Sequence, residues 1–205
     1  MRATASTRKR LNTALSPLFG DRMIKITYLQ MVMAISVLWI AVRAFFALRN
    51  KKLIVKRELQ LILVYICLIV VARFTFCPLR KVDGVIQPLL FDPANILPFR
   101  INLIPFVNLF DYDIFSEAII NFIGHTAMFI PLGIVWPAVF KELDTPLKTL
   151  AAGVGFSLLI EILQLPFFDR VSDIDDLLLN TLGFAVGYGV YRLVARINRK
   201  KEMLK

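Results

Sequence analysis

Glu161 and Gln164 stand inside one apolar run, Asn180 stands inside the next, and Asp176 immediately precedes it. Ser157, Glu161 and Gln164 recur at i, i+4 and i+7, while Asp176, Asn180, Gly183 and Gly187 recur at i, i+4, i+7 and i+11. Each set falls on one face of a helix. Arg170, Asp173 and Asp175 lie in the short acidic turn between them, and an earlier apolar run holds Asn121 and His125 at i, i+4. A carboxylate inside an apolar segment is expensive and faces a partner or a watery cavity rather than lipid. The two polar stripes therefore face something specific.

The residue types admit two kinds of role. Glu161 suits a general acid or base in a desolvated site. It equally suits a lock on helix packing, ion-paired to Arg170 or hydrogen-bonded to Gln164 and Asn180, and such a buried pair adds little net stability. His125 is either a proton carrier near neutral pH or a packed, hydrogen-bonded residue. With Asp176, these two complete the candidate acid/base set. Arg170 can clamp a phosphate bidentately or partner the acidic turn. Gln164, Asn180, Asn121 and Asn102 can hold a polar ligand or bond across helices. Asp173, Asp175 and Asp176 can hold a Mg²⁺ that bridges to a phosphate, or cap the following helix and suit its positive end. Three acids in four residues exceed what a cap needs. Gly183 and Gly187 form a small-xxx-small face that lets helices approach closely. No P-loop, Gly-x-Gly-x-x-Gly fingerprint or plausibly ordered Ser/His/Asp set is present, and no cofactor is evident beyond Mg²⁺.

The elements that must position these residues are membrane spans. The chain has 205 residues, of which 58% are hydrophobic, and a mean hydropathy of +0.68. Soluble globular chains are nearer 45–50% apolar, and a soluble core could not bury the excess. Apolar runs at residues 26–48, 59–78, 119–140, 147–166 and 177–195 each approach the roughly 20 residues needed to cross a bilayer. The expected fold is an all-α integral membrane protein, a bundle of about five transmembrane helices with an interfacial loop. Pro131, Gly133 and Pro137 should kink the third span. Residues 79–117 are broken by Pro and Asn yet rich in Phe, and contain a small repeat, Asn95-Ile-Leu-Pro-Phe99 and Asn102-Leu-Ile-Pro-Phe106. They form either an interfacial or re-entrant loop packed on the bundle, or an ordinary extended loop. The first apolar run is too long for a signal-peptide core and should stay as an anchor.

Net charge is +10, and the basic residues lie at span ends. This fits cytoplasmic flanks beside anionic lipid rather than a nucleic-acid site. Cys67 and Cys77 lie ten residues apart in one apolar run, roughly 15 Å along a helix, and so should not pair with each other. Five spans place the termini on opposite sides. The basic linker around residues 49–57 and the basic tail favour an inside C-terminus, against the competing charge of the N-terminal 25 residues. In either orientation Asn121, His125, Glu161, Gln164, Asp176 and Asn180 fall within about two turns, roughly 10 Å, of one membrane side. That side also carries the Asn/Pro/Phe loop and the acidic turn. A polar pocket open to one face, lidded by the loop, is the expectation. Paired repeats of broken helices, which would suggest a transporter, are not seen.

Three blocks resemble the VanZ family of small bacterial membrane proteins, named for a member linked to teicoplanin resistance. They are Asn102-Leu-Ile-Pro-Phe106; Gly124-His125-Thr-Ala-Met-Phe129-Ile-Pro131-Leu-Gly133; and the set Ser157, Glu161, Gln164, Arg170, Asp173, Asp175, Asp176, Asn180, Gly183 and Gly187. The resemblance covers roughly residues 60–195. It divides the chain into a basic tail (1–25), a first span with its basic linker (26–58), a VanZ-like domain (59–197) and a second basic tail (198–205). His125 stands where many relatives have asparagine, so a proton-transfer role for it would not be general. The resemblance implies a multi-pass protein of the bacterial cytoplasmic membrane and reduced susceptibility to glycopeptides such as teicoplanin. It implies no reaction.

Three functional expectations follow. The pocket binds or acts on an anionic envelope lipid, such as a polyprenyl-linked precursor, with Arg170 and the asparagines on its phosphate. Alternatively the polar stripes only lock helices, and function lies in a protein partner of unknown kind. Thirdly, the same site hydrolyses or transfers a group, using Glu161 with His125 and Asp176.

Overall fold

The computed structural model describes residues 23–50, 54–77, 81–82, 85–92, 101–105, 115–143, 145–168 and 170–204. Five helices carry the fold: α1 (Tyr28–Asn50), α2 (Val55–Phe76), α3 (Phe115–Val139), α4 (Pro146–Gln164) and α5 (Ile174–Met203). All five are long and apolar enough to cross a membrane. The chain is an all-α membrane bundle.

The helix ends differ from the sequence expectation for local reasons. α1 begins at Tyr28, not residue 26, because Thr27 and Gln30 form a reciprocal capping box. The Gln30 N–H donates to Thr27 Oγ1 at 3.3 Å, and the Thr27 N–H donates to Gln30 Oε1 at 2.8 Å. α2 begins four residues earlier than expected, taking Lys56, Arg57 and Glu58 into its first turns. These charges find partners there: Arg43 of α1 pairs with Glu58, and Arg57 donates to the Val139 carbonyl. α5 runs through the basic stretch expected as a tail, since Arg and Lys are good helix formers that suit the negative end of the dipole. α3 remains one helix through Pro131 and Pro137.

α3 and α5 make the most intimate contact, and α2 packs on α3 and α4 on α5. Glycine permits the close crossing. A methyl on Gly183 would overlap the Thr126 carbonyl oxygen, and one on Gly187 would overlap that of Ile130. Gly133 of α3 returns the same approach against the Phe184 carbonyl. This is the small-residue packing expected when lipid supplies no hydrophobic drive between helices. Phe129, Leu132 and Phe184 are fully buried beside Cys67, Val71, Met128 and Ile160. α1 stands at the periphery with no buried residue, and touches α2 through Ser36–Tyr65 at 2.6 Å and a Trp39–Tyr65 ring contact.

The connecting segments form short ladders. β1 (Ile24–Ile26) pairs antiparallel with β4 (Leu89–Phe91), and β2 (Lys81–Val82) with β3 (Val85–Ile86). β5 (Ile101–Asn102) pairs in parallel with β6 (Ser172–Asp173). Phe91 also bridges to Phe167, whose ring stacks edge-on against both Phe91 and Phe76, 5.7 Å from each. The described parts of the loop are thus docked on the bundle end that holds the acidic turn. The Asn95–Phe99 copy of the repeat, Phe106 and residues 1–22 lie outside the described residues. Cys67 and Cys77 are both free and buried.

Candidate functional site

α3 brings His125, α4 brings Ser157, Glu161 and Gln164, and α5 brings Asp176 and Asn180 to one end of the bundle. Asn180 is fully buried at the centre. Its amide nitrogen donates to Ser157 Oγ at 3.0 Å, and its oxygen lies 3.3 Å from His125 Nδ1. On the other side of the imidazole, Nε2 lies 3.5 Å from Asp176 Oδ1. The result is a line of contacts across three helices: Asp176, His125, Asn180, Ser157.

This line constrains the protons. With the Asn180 amide donating to Ser157, its oxygen faces the ring and accepts from a protonated Nδ1. Nε2 then meets Asp176 either as imidazolium against carboxylate or as a bare nitrogen against a carboxylic acid. In both cases the two side chains meet across α3 and α5 at 3.5 Å. The side chains of His125 and Asp176 are 16% and 20% exposed, so this edge is the open part of the site.

Glu161 lies behind that edge and is 97% buried, with 3% of its surface accessible. Its Oε2 accepts from the Asp173 backbone N–H at 3.0 Å. Oε1 is buried and takes no hydrogen bond from the described residues. Asp176 and Asp173 are the like-charged groups that act on this carboxylate, and the Ser172 side chain lies against it. A buried acceptor without a donor is costly, so Oε1 calls for a proton, a water or a ligand.

The acidic turn is a structural knot. Asp173 caps α5, its Oδ1 accepting from the Asp175 N–H at 3.0 Å. Asn102 Nδ2 reaches both Asp173 oxygens, at 3.2 and 3.3 Å. Asn102 therefore holds the loop onto the turn, beside the β5–β6 pairing. Asp175 is buried in the first turn of α5, while Asp176 turns to His125. Asp173 and Asp176 thus point to different partners. Among the described residues, no group of three or more His, Cys, Asp or Glu is gathered to hold a metal ion. The Mg²⁺ expectation finds no cage there.

The remaining candidates are placed as follows. Gln164 donates to the Thr75 carbonyl at 3.1 Å, and Arg170 Nη2 to the Phe76 carbonyl at 2.6 Å. Gln164 ties the end of α4, and Arg170 the turn after it, to the C-terminal end of α2. Asn121 is half-buried one turn before His125 and takes no hydrogen bond among the described residues. Arg170 also acts electrostatically on Asp176 and on Cys77. Burial holds the Cys77 thiol above its ordinary range, against the opposing pull of Arg73 and Arg170. Three features escape the sequence pattern. The Thr75 and Phe76 acceptors are backbone carbonyls, which carry no side-chain signal. Buried Asp92, whose N–H donates to the Pro166 carbonyl at 2.9 Å, sits in the loop without helical spacing. Gly133 matters through α5, which its own segment does not show.

Against known families, the sequence profile described as VanZ/LLP1 matches residues 62–195. The match begins inside α2, leaving out peripheral α1, and spans every residue of the three-helix cluster. Among curated proteins and among solved structures, no match to the chain is found.

Proposed function

The chain belongs to the VanZ/LLP1 family and is a VanZ-like, multi-pass membrane protein, and we propose that its one-sided polar cluster receives the headgroup of an envelope lipid. The observation that carries this reading is the Glu161 carboxylate, 97% buried, with Oε1 lacking a donor behind the open Asp176–His125 edge. A packing lock would be expected to satisfy both oxygens. Lipid is the natural source of the ligand, because α4 and α5 carry exposed Leu, Ile and Val along their outer faces and the cluster lies toward one end of the helices. In this reading the protein sits in the bacterial cytoplasmic membrane and lowers susceptibility to teicoplanin by acting on a lipid such as a polyprenyl-linked precursor. Asp176 and His125 hold the proton at the headgroup, and the Asn102 loop covers it.

The test is teicoplanin susceptibility of cells carrying the wild type, Glu161→Gln or Asp176→Asn, at matched membrane levels. Protection by the wild type, lost in both variants, is the expected result. Equal protection by all three would remove the pocket from function.

A second reading is favoured by different bonds. Asn180–Ser157 at 3.0 Å and Gln164–Thr75 at 3.1 Å knit α5 to α4 and α4 to α2. On that reading the stripes lock the bundle, and function lies with a protein partner. It predicts that Glu161→Gln lowers protein yield together with protection.

A further inference from the structure

The groups that face the cluster are unbalanced in charge. Glu161 comes from α4, Asp173 from the turn, and Asp175 and Asp176 from α5. Against these four carboxylates stand the Arg170 guanidinium and the His125 imidazole. Both are already engaged. Arg170 Nη2 donates to the Phe76 carbonyl, and His125 bridges Asn180 and Asp176. A phosphate would bring only acceptors and more negative charge to a site where Glu161 Oε1, a buried acceptor, takes no hydrogen bond from the described residues. The expectation of an anionic phosphate held by Arg170 and the asparagines thus meets a chain in which most of those side chains already donate to partners of their own. Asn102 is on Asp173, Gln164 on Thr75 and Asn180 on Ser157.

We propose that the headgroup accepted here presents a protonated amine to Glu161 and Asp176. The proposal rests on the lipid-headgroup reading and names its ligand class. A primary ammonium carries three N–H donors and no acceptor. Placed between Glu161 Oε1 and the exposed side of Asp176, it supplies the donor that Oε1 lacks and cancels the repulsion between two carboxylates that act on each other. Entry is past Asp176 and His125, the only two members of the line that are partly open. Asp173 takes no direct part, because its carboxylate is held by Asn102 and by the Asp175 N–H. Trimethylation of the amine abolishes all three donors while keeping the charge, so the site must separate ethanolamine from choline headgroups. That separation distinguishes donor recognition from simple attraction of a cation.

The experiment uses the purified full-length protein in detergent and three short-chain probes: dihexanoyl phosphatidylethanolamine, phosphatidylcholine and phosphatidic acid. Free ethanolamine forms a fourth arm. Binding is read by titration calorimetry, and folding by the thermal midpoint without ligand. The ethanolamine lipid should bind at least about tenfold more tightly than either other lipid. Glu161→Gln and Asp176→Asn should each remove that preference, and whichever of them keeps the wild-type midpoint decides. Equal or tighter binding of phosphatidic acid or of the choline lipid overturns the amine proposal alone. So does a preference that survives in a folded variant. If no lipid saturates the folded protein but free ethanolamine does, the amine stands and the lipid reading falls. If nothing saturates it, both fall.

Discussion

The line from Asn180 to Ser157 offers a quantitative test of whether the polar cluster helps hold the bundle. Asn180 and Ser157 are both fully buried, on different helices, and share a 3.0 Å hydrogen bond. Asn180→Ala removes that bond and the His125 contact, and leaves a small void. Side-chain hydrogen bonds between membrane helices average about 0.6 kcal/mol and reach about 1.7 at most, because the unfolded chain in lipid also finds partners. Two lost contacts and an imidazole left without an acceptor together give an expected destabilisation of about 2 kcal/mol. Ser157→Ala should cost about 1 kcal/mol, since only one contact is lost. Their shared bond fixes the coupling. The double variant should be less destabilised than the sum of the singles by about 0.5–1.7 kcal/mol. Reversible unfolding in mixed micelles, followed by the fluorescence of Trp39 and Trp136, measures all four corners of the cycle. Additivity within about 0.3 kcal/mol would refute the reasoning, for it would mean the two side chains do not act on each other in the membrane.

Three other outcomes follow from single features. Gly183→Ala puts a methyl against the Thr126 carbonyl and should destabilise the α3–α5 pair by about 1–3 kcal/mol, as overpacking does; the same assay reads it. Asp173→Ala removes the α5 cap and the Asn102 anchor together, for a loss of about 1 kcal/mol or more, and limited proteolysis near residues 101–105 should speed up. The Cys77 thiol has its pKa raised by burial, so its thiolate forms only at higher pH than in an exposed cysteine. Its alkylation should be slow at neutral pH and rise later on the alkaline side than a free-thiol standard, a result read by mass spectrometry of the labelled protein.

The spans were legible because apolar run length is a strong signal, and the one-sided placement of the polar residues followed from counting turns. Gly183 and Gly187 could be read as a packing face from spacing alone. The helix ends could not, because charged residues that end an apolar run do not end the helix. Lys56, Arg57 and Glu58 are charged and still helical, with Glu58 and Arg57 meeting partners on α1 and α3. The Thr27-x-x-Gln30 capping box is a readable signal that hydropathy masks. The β5–β6 pairing joins residues 71 positions apart, and no local pattern in Ile101–Asn102 announces it. At the site, the residue types were visible but their assignments were not. Arg170 and Gln164 spend their donors on the last carbonyls of α2, which exist because a helix C-terminus leaves carbonyls unpaired.

The glycine crossing and the polar line are parts of one device. His125 precedes Thr126, whose carbonyl lies where a Gly183 side chain would be, and Asn180 stands one turn before Gly183. One of the three close approaches of α3 and α5 is therefore beside the imidazole that spans them. His125 reaches Asn180 at 3.3 Å and Asp176 at 3.5 Å, both near the outer limit for such contacts. Moving the helices apart by even half an ångström would break both. A network this long-jointed cannot pull two helices together by its own strength, given the small worth of each bond in lipid. The order of cause runs the other way: small residues let the backbones meet, and their meeting places His125 beside Asn180 and Asp176.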